Sequence, residues 1–156
     1  MNKNLSGFTL IELIVVIAIL GILSALALPR FANLQTEARM AKMNGALGSI
    51  KAAAVLAHSI QLTQQLAAGA TVIMEGSNIT MANAYPQSTN ASIGHAAGFA
   101  DTSGVAFNDY TLTSTATIFT VTPDINHPNC AVTYTVPAAA GFAPTYSNAG
   151  ITALNC

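Results

Sequence analysis

Apolar residues are concentrated in one block near the N-terminus of this 156-residue chain. The block runs from Phe8 to Leu28, and Glu12 is its one charged residue. An α-helix rises about 1.5 Å per residue, so about 20 apolar residues span the roughly 30 Å hydrocarbon core of a bilayer. The pattern therefore predicts a helix that crosses a membrane.

The pattern changes after Arg30, where apolar residues recur at intervals of three and four. This spacing places them on one face of an α-helix from Phe31 to about Ala57. We interpret this helix as the part that packs under a head domain, and a coiled-coil dimer is the alternative. Gly69 offers a stop if the helix continues. The apolar stripe consists of Met40, Met43, Leu47, Ile50, Ala54 and Ala57.

Short β-prone segments follow, separated by turn residues. Residues 71–104 are rich in Gly, Asn and Ser, which is typical of turns. Residues 109–123 are rich in Thr and predict either one long strand or two shorter ones, whereas residues 130–137 alternate as one half-buried strand. The tail, residues 138–156, is predicted to be a loop. An antiparallel sheet laid on the helix stripe, and hence an α+β fold, is the simplest architecture.

Charged residues are few, and they are segregated along the chain. Asp, Glu, Lys and Arg make up 7% of the residues, against roughly 25% in ordinary soluble proteins. Residues 52–156 contain no Lys or Arg. Because these residues neutralise phosphates, we expect no nucleic acid as a partner of this region. A neutral polar surface gains little from charge repulsion, which a protein packed against copies of itself can tolerate.

The two cysteines, Cys130 and Cys156, have no spacing that is typical of a zinc site. In an exported protein they would most simply form one disulfide. On the chain-entropy description, such a bond would stabilise the fold by about 3.5 kcal/mol. It would also hold the last residues of the chain in place.

No arrangement of residues in the sequence indicates catalysis. The histidines are scattered without catalytic or metal-binding spacing, and there is no nucleophile motif. We therefore predict no enzyme activity and no cofactor. The segment "DINHPN" does offer oxygen ligands for Ca²⁺, although turns favour the same residues for backbone reasons. The histidines considered for catalysis are His58, His95 and His127, and the oxygen ligands considered for calcium are Asp124, Asn126 and Asn129.

Glu12 is costly within an apolar helix, by about 2.5 kcal/mol at the centre of a bilayer and less near its edge. Such a carboxylate needs a partner. Cutting the chain between Gly7 and Phe8 would create an α-amine about one helical turn away, on the same chain or on a neighbour. Residues 1–7 would then be a leader that Lys3 holds in the cytoplasm. A secretory signal cleaved near "SALALP" is the alternative.

The sequence "GFTLIELIVVIAILGILSALALPRF" resembles the class III signal and N-terminal helix of type IV pilins and their pseudopilin relatives. The likeness covers residues 1 to 57 and is loose beyond them. It implies that a prepilin peptidase cuts after Gly7 and N-methylates Phe8. It also implies that Glu12 neutralises the Phe8 amine of an adjacent subunit in a filament. The implied organisation is a leader (1–7), a transmembrane and filament-core helix (8–30), and a head with a disulfide-containing pilin fold (31–156).

The resemblance also implies a function and partners. The chain would be a structural subunit of a bacterial type IV pilus, a homopolymer of identical subunits. An assembly ATPase and a platform protein would build it from subunits in the inner membrane into an extracellular fibre. The stretch "PRFANLQTEARMAKMNGALGSIKAA" is most similar to the mannose-sensitive haemagglutinin type of pilins, which implies adhesion or surface attachment, with motility as a further role.

Three alternatives to a major pilin stay open. A pseudopilin of a type II secretion system would act as a piston, and such proteins carry a calcium site in the region of "DINHPN". The cysteine pair favours the pilin, because major pseudopilins usually lack it. A minor pilin at the fibre tip is the second alternative. The third is a membrane-anchored binding module that never polymerises.

Gly21 and Pro29 weaken the hydrogen-bond ladder of the N-terminal helix, through low helix propensity and a missing N–H donor. We expect the segment between them to bend or lose its helical form when it packs in a filament. Density of a filament tests this expectation. An unbroken helix from Phe8 past Pro29 would contradict it.

Overall fold

A computed structural model describes residues 9–107 and 109–156 of the chain. The predicted leader and Phe8 therefore lie outside the described residues. The chain divides into two compact units at Thr36 and Glu37. Helix α1 extends over Leu10–Thr63 and contributes residues to both units.

The N-terminal unit consists of the first part of α1. Each residue of Leu10–Ala27 is exposed, and their mean hydropathy is 2.8. In length and composition this stretch is sufficient to cross a membrane, a criterion that a signal sequence would also meet. The backbone is helical at Gly21 and at Pro29 in the isolated chain.

The second part of α1 carries the predicted apolar stripe, and the stripe faces the core of the head. Met43, Ile50, Ala54 and Ala57 are buried there. Because the head covers this face with its own side chains, the stripe serves as a packing face within one chain. The interpretation as a helix under a head domain is therefore confirmed.

Helix α1 ends at Thr63, earlier than the stop that Gly69 offered in the sequence. Gln65 adopts a left-handed conformation with φ of 52°. The amide of Leu66 then donates to the carbonyl of Gln61, and the amide of Gln65 donates to that of Leu62. This hydrogen-bond pair is a Schellman motif, which satisfies the last carbonyls of a helix. The stop predicted at Gly69 is therefore wrong, because the backbone turns four residues before it.

Eight strands follow α1 in the described part of the chain, and the last four form the main sheet of the head. They are β5 (Thr111–Ser114), β6 (Ile118–Thr122), β7 (Val132–Thr135) and β8 (Thr145–Ser147), antiparallel and adjacent in this order. The Thr-rich segment forms β5 and β6. These two strands are joined at Thr115, whose amide donates to the Ile118 carbonyl and whose hydroxyl oxygen accepts from the Ile118 amide. In β7 the predicted alternation is confirmed, since Val132 and Tyr134 are buried and the threonines between and after them are partly exposed.

The prediction that the tail is entirely loop is wrong, because it contributes β8. Tyr146 pairs with Tyr134 of β7 in the antiparallel register, and their rings lie 5.8 Å apart between centroids. A strand of three residues, Thr145–Ser147, is too short to show an alternating pattern in the sequence. The free edge of β7 supplies the hydrogen-bond partners that make this segment a strand.

Two small hairpins connect α1 to the main sheet. Their turns have positive φ at both central residues, Glu75–Gly76 and Asn83–Ala84, which is the geometry of tight hairpin turns. A one-turn π-helix, Asn90–Gly94, follows and is capped by the Thr89 hydroxyl. The hairpins consist of β1 (Val72–Met74) with β2 (Ser77–Ile79), and β3 (Met81–Ala82) with β4 (Tyr85–Pro86).

The core of the head lies between the helix stripe and the main sheet. Phe119 and Val121 of β6 are fully buried there, together with Val132 and Tyr134 of β7. The hydroxyl of Tyr134 donates a hydrogen bond of 2.7 Å to the carbonyl of Pro86, which joins the sheet to the second hairpin. The architecture confirms an α+β fold with an antiparallel sheet packed on helix α1.

The predicted disulfide between Cys130 and Cys156 is present, with a Cα–Cα distance of 4.9 Å. Both cysteines are buried in the main core. The loop they close contains β7 and β8. Gly150 lies in this loop, close to the backbone just before β7: a Cβ on it would lie 2.5 Å from the carbonyl oxygen of Asn129 and 2.7 Å from the amide of Ala131.

We expect Gly150→Ala to destabilise the head by about 1–3 kcal/mol, because the added methyl group meets rigid backbone. Urea unfolding followed by tyrosine fluorescence measures the change. Gly45→Ala is the matched control, since a Cβ at Gly45 has nothing within 4 Å and lies within α1. This control should gain about 1 kcal/mol from helix propensity. Equal unfolding midpoints for both variants would contradict the prediction.

Candidate functional site

The beginning of α1 is organised around Glu12. Its Oε2 accepts a hydrogen bond of 2.9 Å from the amide of Thr9 and one of 2.8 Å from the Thr9 hydroxyl. In return, the amide of Glu12 donates to the Thr9 hydroxyl oxygen at 3.3 Å. This reciprocal pair is a capping box, which satisfies free amides at a helix N-terminus.

The capping box gives Glu12 a role within a single chain. A carboxylate offers about four acceptor positions, so two donors from Thr9 leave capacity for a further donor such as an amine. The acid is exposed at the end of an exposed apolar helix. It is therefore held in a defined orientation while it stays accessible to another molecule. The Thr-x-x-Glu spacing that indicates a capping box is present in the sequence, although only the role of Glu12 as partner of an amine was predicted.

The cationic side chains Arg39, Lys42 and Lys51 of the head contact groups of their own chain. The Arg39 Nε donates to the carbonyl oxygen of Cys156. The Lys42 Nζ donates to the carbonyl of Asp109, and to that of Pro123 at 3.0 Å, and it lies 4.3 Å from the centroid of the Tyr110 ring. Lys51 lies over the ring of Tyr146, with its Nζ 5.5 Å from the centroid. These cations satisfy carbonyls and aromatic faces within the chain.

Comparison with known proteins identifies relatives of the N-terminal segment. The family described as "Prokaryotic N-terminal methylation motif" matches residues 2–28. The "Type IV narrow pilus major component PilA5" of Thermus thermophilus is 45% identical over 51 residues, which are 33% of this chain and 44% of that protein. The chain thus carries this N-terminal motif and is similar to a type IV pilus component over about a third of its length.

Two further relatives extend the same likeness. The "Type IV major alpha-pilin" of Moraxella bovis is 47% identical over 47 residues, 30% of either chain. A "Fimbrial protein" of Pseudomonas aeruginosa is 33% identical over 92 residues, 59% of this chain and 49% of that protein. The matches thus span less than half the length of each of these relatives. No solved structure matches the chain.

The predicted processing residues, Gly7 and Phe8, lie outside the described residues. Glu12 lies in the first turn of α1, and Gly21 lies on an exposed part of the helix where nothing approaches its Cβ position within 4 Å. Pro29 is helical in its backbone. Glu12, Gly21 and Pro29 occupy successive positions along one helix, so a single chain does not gather these three into one site.

The turn predicted as a calcium candidate is closed by its own hydrogen bonds. The Asp124 Oδ1 accepts from the amides of Asn126 and His127, and from the His127 Nδ1 at 2.8 Å. Calcium binds six to eight oxygens, whereas this carboxylate is occupied by the turn. The residues that the structure describes contain no group of three or more His, Cys, Asp and Glu side chains that could hold a metal ion. These hydrogen bonds are those of a plain turn, and calcium binding by Asp124, Asn126 and Asn129 stays a prediction.

The Asp124–His127 contact makes the turn sensitive to pH. The hydrogen bond from the His127 side chain lowers the pKa of the Asp124 carboxyl below its ordinary value of 3.8. A lowered pKa in the folded state means that the ionised acid stabilises the fold. This contribution is present above pH 3.8 and is lost as the pH falls through the lowered pKa.

We expect Asp124→Asn to be less stable than the wild type at pH 7, because it keeps an acceptor for the backbone but loses the charge. The difference should not exceed about 1 kcal/mol, since the contact is partly exposed to solvent. Urea midpoints at pH 7 and at a pH well below 3.8 measure it, and the difference should vanish at the lower pH. A difference independent of pH would refute the role of the charge.

Proposed function

We propose that this chain is a structural subunit, and the major one, of a bacterial type IV pilus. The observation that carries the proposal is the exposed apolar helix Leu10–Ala27 with a capped acid at its start. Such a surface is stable in lipid, and it is equally stable among identical helices. Polymerisation transfers the helix from one apolar environment to the other.

The acid directs the polymerisation. Prepilin peptidase would cut after Gly7 and methylate Phe8, which leaves a positively charged amine at the new N-terminus. Glu12 of a neighbouring subunit would neutralise this amine in an apolar surrounding, where unpaired charges are costly. The matching of the methylation motif to residues 2–28 supports this processing.

The remaining partners and the location follow from the same mechanism. The precursor and the pool of subunits would lie in the inner membrane, because the apolar helix needs lipid before it has neighbours. An assembly ATPase and a platform protein would supply the work of extraction, and the product would be an extracellular fibre. The protein would act as a building unit and not as an enzyme.

The finer role that we propose is adhesion and surface attachment, with motility as a further role. The likeness to the mannose-sensitive haemagglutinin type supports it. The disulfide between Cys130 and Cys156 favours a pilin over a pseudopilin of type II secretion.

Fibres purified from cells test the proposal. They should consist mainly of this chain, with a mass that begins at N-methylated Phe8. Fibre subunits that retain residues 1–7, or cells that display no polymer of this chain, would overturn it.

Variants of Glu12 separate assembly from helix capping. Glu12→Gln keeps a side chain suited to the capping box but has no charge. We expect it to reach the membrane and to give at least about tenfold fewer fibres, as Glu12→Ala also should, since an unpaired buried amine costs several kcal/mol. Thr9→Ala is the matched control, because it weakens the cap and keeps the acid, and it should assemble nearly normally. If Glu12→Gln forms fibres like the wild type, the acid serves only as a cap.

A further inference from the structure

A groove lies on the head between α1 and the first hairpin, and it encloses about 310 Å³. Its helix side includes Ser49, Ala52 and Leu56, and its opposite side includes Met74 of β1. Leu56 is 53% exposed although it is apolar. The groove is thus a largely apolar channel that is open to solvent.

Two polar side chains that line the groove are suited to a cation. Glu75 is exposed there, and it is the one charged residue of the sequence between Ala52 and Ala100. The Nδ1 of His95 lies 3.0 Å from the carbonyl oxygen of Ala100. Since a carbonyl only accepts, Nδ1 carries the proton, and Nε2 of the neutral ring is an acceptor. The groove therefore combines a carboxylate and a histidine acceptor with apolar walls.

The exposed face of α1 beside the groove is also largely apolar. Val55 and Leu62 are both more than half exposed. From Met43 to Thr63, Lys51 is the one residue of α1 that is Lys, Arg, Asp or Glu. The outer face of a surface helix usually carries charged and polar residues. This face instead has the composition of a packing surface, and a single chain leaves it uncovered.

Lys51 is the one exposed Lys or Arg among the described residues of Glu37–Cys156. Arg39 and Lys42 are half-buried and donate to carbonyls of their own chain. The Nζ of Lys51 lies 5.5 Å from the centroid of the Tyr146 ring. An ammonium group has three N–H donors, so this contact leaves donors for a carboxylate. Lys51 is therefore the cation with which the head can reach another molecule.

Lys51 and the groove lie on different sides of the exposed face of α1. At about 100° per residue, Lys51 is about 100° around the helix from Ala52 and about 140° from Leu56. Its side chain lies over Tyr146 of the main sheet, whereas the groove borders the first hairpin. The cation and the acid of one chain therefore face different neighbours. Such a pair of complementary sides forms a contact that repeats from copy to copy in one orientation.

We propose that the groove binds the Lys51 edge of α1 in a second copy of this chain. We define the Lys51 edge as Gly48, Lys51 and Val55, which are neighbours at helical spacings of three and four. Lys51 would pair with Glu75 beside His95, and Val55 would pack along the apolar walls. A Cβ on Gly48 would meet nothing within 4 Å, so the groove wall can approach the backbone of the edge closely.

Length and charge both select this occupant. The Lys51 edge is about 10 Å long, and so is the helix side of the groove from Ser49 to Leu56. The acid Glu37 precedes Lys51 by fourteen residues, or about 21 Å along α1, so it lies outside the edge. Apolar burial would supply the affinity, and the ion pair would fix the register of the two copies. The proposal rests on the proposed function, because it defines a contact between neighbouring subunits of the fibre.

Coupling with a water-soluble carbodiimide tests the ion pair in purified fibres. The reagent joins an amine and a carboxylate as an amide, and it takes up the water that is lost and becomes a urea. Wild-type fibres should give a ladder of linked subunits on a denaturing gel, and mass spectrometry of a digest should find Lys51 joined to Glu75. Lys51→Arg is the matched control, since it keeps the charge but has no amine to couple. It should form fibres as the wild type does and lose the ladder.

Glu75→Gln should lose the ladder as well, because it has no carboxylate to activate. A ladder that is unchanged in Lys51→Arg or in Glu75→Gln would contradict the proposal. Wild-type fibres without the link between Lys51 and Glu75 would overturn the groove contact alone. If the wild type forms no fibres, the proposed function itself fails.

Charge reversal tests whether the pair contributes to assembly. Lys51→Glu and Glu75→Lys should each lower the yield of fibres several-fold at an unchanged level of subunit in the membrane. The double variant should recover most of the loss. Glu75→Lys with Arg30→Glu is the control, because Arg30 is exposed but lies in the N-terminal unit. Recovery by Arg30→Glu instead, or full yield from both single variants, would refute the contact.

Discussion

The helix segment Leu10–Ala27 has no cover of its own, and this constraint governs the rest of the molecule. Soluble monomers rarely expose contiguous apolar patches larger than a few hundred Å². Here every residue of an 18-residue segment is exposed. The segment therefore needs lipid or other protein chains around it at all times. The head has a separate core of its own, so its folding does not depend on which of these surroundings the segment occupies.

The distribution of charge is consistent with this constraint. Arg39, Lys42 and Lys51 contact carbonyls or aromatic rings of their own chain. These contacts hold the three side chains against their own chain, although Lys51 is itself exposed. Glu12 differs from them, since its carboxylate lies on the exposed apolar helix with the orientation fixed by Thr9. One acid in an otherwise apolar surface gives a direction to contacts that hydrophobic burial alone would leave unspecified.

The sequence predicted the elements that have a strong period. The helix stripe through Met43 and Ile50 and the alternation of β7 repeat often enough to be read from residue types alone. It did not predict β8, because Thr145–Ser147 becomes a strand only through the edge of β7. The end of α1 was predicted too far along the chain, because a left-handed Gln65 is unusual. Two hydrogen bonds that span Gln65 hold it there: the amide of Leu66 donates to the carbonyl of Gln61, and the side-chain amide of Gln61 donates to the carbonyl of Leu66.

The polar details of the candidate site were less predictable than the fold. Glu12 was recognised as an acid that needs a partner, but its bonds to Thr9 were not predicted, although the Thr-x-x-Glu spacing indicates them. A groove on the head, lined by Ser49 of α1 and Glu75 of the first hairpin, could not be found in the sequence, since these residues are more than twenty positions apart.

The bond between Cys130 and Cys156 has a consequence for when the head matures. Thiols stay reduced in the cytoplasm and become oxidised outside it. In the exported subunit that we propose, the chain around β7 and β8 would at first be held only by strand pairing and packing. The covalent closure would follow translocation, so the head would be completed only outside the cytoplasm.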